Sequence, residues 1–204
     1  RVSPEYWAEP INALSNFSFV IAAILIYRLA SKYKVSSFGF NFLVINLFLI
    51  GVGSFLFHTF ANVWSFFADI IPIYIFQLSI VALYGAAIAR QKKWSELQGS
   101  ALLLFAFIVI TVAFAQLPKD LLNGSIIYLS AFICLFFLAM YHFKHYQHER
   151  YTLFIASVLF ILALLCRTID MEVCHAFPLG SHFMWHLING AVLLLAVKAY
   201  LGVL

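Results

Sequence analysis

Apolar positions in this chain come in long, nearly unbroken runs, not in the narrow stripe of a helix that faces water on one side. Seven runs stand out, at roughly 11–30, 39–58, 65–89, 99–116, 125–143, 152–168 and 182–203. Runs of that kind predict membrane helices, each needing about 20 mostly apolar residues to cross the hydrocarbon core. The connections are short and carry turn formers, such as LPKDLLNG at 117–124 and AFPLG at 176–180. Ser181 reads as the cap of the last helix. The expected fold class is all-α and integral to the membrane: a seven-transmembrane helix bundle forming one domain over residues 1–204.

Composition agrees with the pattern. Of 204 residues, 65% are hydrophobic and 10% are charged, whereas a soluble domain carries about a quarter charged residues. A water-soluble globular fold is excluded. The formal charge of +4 is too small to argue for nucleic acid, and the basic residues are better read as topology markers.

Read that way, they give a direction. Arg28, Lys32, Lys34, Arg90, Lys92, Lys93, Lys144, Arg150 and Lys198 fall at one end of the runs, and only Arg1, Lys119 and Arg167 at the other. The positive-inside rule puts the larger set in the cytoplasm, with the N-terminus outside and the C-terminus inside. The acidic residues lean the opposite way. Glu5, Glu9, Asp69, Asp120, Asp170 and Glu172 lie at or near the outer ends, against Glu96 and Glu149 inside. Acidic residues carry little weight in topology, so their clustering implies chemistry at the outer end.

Five runs deliver polar groups to that layer. The first brings Glu9, Asn12, Ser15 and Asn16; the second Ser54 and His58; the third Asp69; the sixth Arg167 and Asp170; the seventh His182 and His186. Ionisable groups at membrane depth are costly and face a cavity, a bundle interior or one another. His182 and His186, four residues apart, share a helix face. That pair alone fits interhelical hydrogen bonding as well as it fits a ligand pair. His58 at matching depth supplies a third imidazole, and three histidines with an open fourth position form a common catalytic zinc arrangement. Ser54 precedes His58 by four residues and shares its face. Asp69 follows eleven residues after His58, within reach as an acid–base group or as a hydrogen-bond partner of a histidine.

The remaining candidates read as structural. His142, His145 and His148 recur beside Lys144 and Arg150 and are expected to be an interfacial, solvated cluster. His175 reads as a loop residue, and Cys134 and Cys166 as small hydrophobes within helices. Cys174 falls in an outer loop with no other outer cysteine in the sequence.

The pieces GSFLFH (53–58), Asp69, CRTID (166–170) followed by Cys174, and HFMWH (182–186) occur in that order. Together they resemble the alkaline ceramidase family and its wider superfamily of seven-helix membrane hydrolases, which also includes adiponectin-receptor-like proteins. EPINALSN and HFMWH lie closer to the ceramidase branch, particularly its bacterial members. The resemblance implies zinc (Zn2+) held by His58, His182 and His186, with Ser54 beside the metal and Asp69 in proton transfer. Glu9 matches an acidic residue that joins a calcium (Ca2+) site in the eukaryotic members. The rest of that site, and the cysteine that pairs with the counterpart of Cys174, belong to a segment upstream of Arg1.

The function so implied is an intramembrane zinc-dependent amidase that hydrolyses ceramide to a sphingoid base and a fatty acid, with a membrane lipid as its partner. Two other readings stand beside it: a lipid-binding receptor with a structural zinc, which the lack of a long cytoplasmic segment disfavours, and a zinc hydrolase acting on another acyl lipid. The expected location is a bacterial inner membrane with a periplasm-facing site, or the ER or Golgi membrane if the source is eukaryotic. A channel is disfavoured, because the polar groups stop at one end.

Overall fold

The computed structural model describes residues 6–118 and 120–204, and the regular structure among them is entirely helical. Arg1, Glu5 and Lys119, used above for charge, lie outside the described residues. The elements are α1 (Pro10–Ser15), α2 (Phe17–Lys32), α3 (Phe38–Phe60), α4 (Val63–Gln91) and α5 (Glu96–Ala115). A 3-10 turn (Ser125–Tyr128) follows, then α6 (Leu129–His145), α7 (Thr152–Thr168), α8 (Asp170–Val173) and α9 (His182–Leu201). Six segments are long and apolar enough to cross a membrane, with α1 and α2 together counting as one, Pro10–Lys32. The chain is a multi-pass membrane protein. The sixth expected span falls on α7, an apolar helix of 17 residues that is shorter than those six, about 25 Å long at 1.5 Å per residue.

Neighbours in sequence are neighbours in space. Each long helix packs on the next from α2 through α7, α7 packs on α9, and α9 closes the ring against α2. It also reaches α3 and α4 across the interior. Phe19, Ile26, Leu43, Leu47, Val197 and Tyr200 are buried in that interior. Phe105, Phe137 and Val158 are exposed on the outside, as suits helices whose solvent is lipid.

Short connections are built from caps. The Ser37 hydroxyl accepts from Phe40 N at 3.1 Å to start α3. Only Ala61, in the left-handed region at φ 48°, and Asn62 separate α3 from α4. Asn62 and Ser65 form a reciprocal capping box. That tight turn sets the last turns of α3 beside the first turns of α4.

The two helices then approach unusually closely. A Cβ on Gly53 would fall 1.9 Å from the Ala68 carbonyl oxygen. Pro72, inside α4, has no N–H to offer that carbonyl four residues earlier. The carbonyl left over by Pro72 faces the bare backbone of α3, while the Asn46 side chain donates to the Pro72 carbonyl at 3.0 Å. At the other end of the bundle, Gly85 and Gly99 permit the same kind of crossing between α4 and α5.

One expectation fails at that far end. His145 and His148 are exposed, but His142 is fully buried. Its Nε2 donates to the His148 carbonyl at 3.1 Å, and its ring packs against Tyr84 and Tyr146. The three-residue spacing turns one ring of the trio into the bundle and leaves the other two in the polar connection to α7.

Candidate metal centre

His58 comes from the last turn of α3, and His182 and His186 from the first turns of α9. Their ring centroids lie 4.7 to 5.3 Å apart. One nitrogen from each falls within 4.8 Å of the others, so the three can hold a metal ion. Among the described residues this is the only group of three or more metal-ligating side chains. His58 and His186 are buried and His182 is half-buried.

Two of the rings are held from behind. Glu9 Oε2 lies 2.6 Å from His58 Nδ1. A carboxylate only accepts, so Nδ1 carries the proton and Nε2 keeps its lone pair for the cluster. Burial raises the pKa of Glu9, but hydrogen bonding and charge, those of His58 among them, together outweigh it and lower the carboxyl to about 2, an anion at neutral pH.

Ser15 does the equivalent for His186. Its Oγ donates to the Asn12 carbonyl at 2.7 Å, so its one hydrogen is spent. The contact of 2.8 Å with His186 Nδ1 is then Nδ1–H donating to Ser15 Oγ, and His186 Nε2 is free as a ligand. Metal-ligating histidines are characteristically oriented in this way. An all-imidazole donor set with both tautomers fixed fits zinc.

His182 is placed through its backbone. Asp170 Oδ1 accepts from Ser181 N at 2.6 Å and His182 N at 2.8 Å. The cap of α9 is therefore Asp170, not Ser181, whose hydroxyl donates instead to the Cys166 carbonyl. Gly180, at φ +63°, lets the chain pass: a Cβ there would fall 2.3 Å from Asp170 Oδ1.

Ser54 is buried, and its hydroxyl faces the Asp69 carboxyl across the Gly53 crossing. Asp69 Oδ1 is buried with no hydrogen-bond partner. A buried acceptor left unmatched beside a metal-competent cluster is suited to take a proton from something bound there. The sequence-predicted set of Glu9, Ser54, His58, Asp69, His182 and His186 thus comes together at one end of the bundle. Arg167 turns aside. Its Nη1 donates to the Asn123 carbonyl and to Ser125 Oγ, both at 2.9 Å, and its guanidinium lies over the Tyr128 ring. It ties the 3-10 turn to α7. Cys134, Cys166 and Cys174 are free thiols, and His175 is exposed in the loop before α9.

Two spaces flank the cluster. Towards the near end of the bundle a recess of about 250 Å3 is lined by Glu9, Asn12, Asp170 and Cys174, among others. Deeper among the helices an apolar cavity of about 120 Å3 touches Ile50, Ile73, Trp185 and Asn189. Ile50 is four residues before Ser54, Ile73 four after Asp69, and Asn189 three after His186. The cavity therefore begins one helical turn below the site.

The sequence pattern of the family described as Ceramidase matches residues 2–203. No curated protein matches the chain.

Proposed function

The chain belongs to the ceramidase family, and from that premise we propose that it is a zinc-dependent amidase that hydrolyses ceramide to a sphingoid base and a free fatty acid. The observation that carries the reading is an apolar cavity whose lining residues Ile50, Ile73 and Asn189 lie about one helical turn from Ser54, Asp69 and His186. An amide held at the histidines has room for its chain among the helices.

His58, His182 and His186 would hold the ion. Zinc, when bound, supplies polarisation of the amide carbonyl and acidification of water. The chain's own residues do the rest. Glu9 and Ser15 keep two imidazoles in the ligating tautomer. Asp69 takes a proton at its unpartnered Oδ1 and returns one to the departing amine nitrogen. Ser54, facing that carboxyl, orients it and offers a hydroxyl to oxygen charge developing on the carbonyl. The surrounding apolar rings exclude bulk water and strengthen each of these interactions.

Seven spans, an outer N-terminus and an inner C-terminus complete the proposal, with α7 as the shortest crossing. The charge asymmetry of nine basic residues against three supports that direction. Calcium at Glu9 is the weaker reading. It comes from the resemblance alone, and the carboxylate is engaged with His58.

The test is purified protein with labelled ceramide, with and without chelator, alongside elemental analysis. The expected result is release of fatty acid, its loss on chelation, and about one zinc per chain that disappears in His58→Ala, His182→Ala and His186→Ala. Undiminished turnover by metal-free protein would overturn the reading. Metal binding without turnover of any acyl lipid would favour the receptor instead.

A further inference from the structure

The cavity beneath the histidines is apolar except for a few groups, and two of those have hydrogen-bonding capacity to spare. Asn189, on α9, is 7% exposed. Its Nδ2 donates to the Trp185 carbonyl at 2.9 Å, and no described residue donates to its Oδ1. Gln77, on α4, lines the same cavity and forms no hydrogen bond with any described residue. Around them stand Phe19, Ile50, Phe76 and Phe160. An amide in such a setting is costly unless something meets it.

A purely hydrocarbon chain meets neither amide. A hydroxyl meets both kinds of group, since it donates to a carbonyl oxygen and accepts from an NH2. We infer that Asn189 and Gln77 select a lipid chain that carries a hydroxyl in its upper half. Asn189 lies three residues past His186, about 4.5 Å along the helix, and Gln77 eight residues past Asp69, about 12 Å along. The two amides mark a band one to two turns below the site, and a hydroxyl inside that band reaches one or both. The inference rests on the proposed amidase only in taking the chain to be the acyl group of its substrate.

The test uses binding, so that it is independent of turnover. Palmitic acid and a set of hydroxypalmitic acids, positional isomers of one another with the hydroxyl walked along the upper half of the chain, compete for the purified, metal-loaded protein against a labelled fatty acid. At least one hydroxylated isomer should bind about two- to tenfold more tightly than palmitic acid, the worth of one neutral hydrogen bond. That preference should shrink in Asn189→Leu, in Gln77→Leu or in both, with palmitic acid bound no less well. Equal or weaker binding of every hydroxylated isomer would overturn the inference, as would a preference retained in full by both variants. Because Gln77 is only partly buried, its variant keeps the test open if the Asn189 variant fails to fold. If ceramide is not hydrolysed and the hydroxyl preference is present, the amidase reading fails and this inference stands.

Discussion

The position where Gly53 lacks a Cβ lies 1.9 Å from the carbonyl oxygen of Ala68, so α3 and α4 touch backbone to backbone one residue away from both Ser54 and Asp69. Any side chain on Gly53 must push the helices apart, since ordinary contact needs about 3.4 Å or more. Gly53→Ala is expected to destabilise the protein by about 1–3 kcal/mol, as overpacking does, and to weaken metal binding and turnover as His58 moves with α3. Gly85→Ala makes a comparable clash with Gly99 at the other end of the bundle. It should lower thermal stability alone. Thermal melts and metal titrations of both variants check this, and an unchanged metal affinity in Gly53→Ala would remove the crossing from the construction of the site.

Glu9 and Ser15 fix the tautomers of His58 and His186 without belonging to the ligand cluster. Loss of such a partner costs about 10- to 100-fold in metal affinity. Glu9→Gln, which keeps an acceptor but loses the charge, should fall toward the low end of that range, and Ser15→Ala should fall within it. Competition with a chromophoric chelator measures both. If both variants bind metal as tightly as wild type, the hydrogen bonds are ornaments of the fold.

The grouping of candidate residues was legible because much of its signal is local. His182 and His186 share a face by spacing alone, and Ser54 and His58 do likewise. What held those residues in place was not legible. Ser15 meets His186 across 171 positions, and an apolar pattern names no such pair. Asp170 caps α9 from a neighbouring element, whereas the adjacent Ser181 satisfies every local rule for that role. The Gly53 crossing also escaped, because a glycine in a membrane helix does not say which helix will face it. His142 misled for the opposite reason. Its neighbours Lys144 and Arg150 made the whole segment look solvated, and burial of one ring in three follows from the helix phase instead.

Asp69 tests the chemistry separately from the metal. Its Oδ1 is buried without a hydrogen-bond partner, and it is not one of the three clustered ligands. Asp69→Asn keeps the shape and abolishes the proton acceptor, so zinc content should be unchanged while kcat falls about 10²- to 10⁴-fold. Ser54→Ala should cost less and leave the metal in place. An Asp69→Asn protein with wild-type kcat would take the carboxylate out of the mechanism.

At the opposite end, Glu149 joins the connection before α7 to the last helix. Its carboxylate accepts from Thr152 Oγ1 at 2.6 Å and pairs with Lys198 Nζ at 2.9 Å. Burial raises its pKa, but the hydrogen bonds from Thr152 and Lys198 and the Lys198 charge outweigh that and leave it below the usual glutamate value. A carboxyl whose pKa is lower in the folded state stabilises fully above its unfolded value, about 4.3, and loses that contribution as pH falls through the folded value. The pair is partly open to solvent, so its worth is about 1 kcal/mol or less. Thermal melts of detergent-solubilised protein should therefore separate wild type from Glu149→Gln above about pH 5 and converge as pH falls through the folded value. A gap that persists at low pH would mean that Glu149 acts by packing and not by charge.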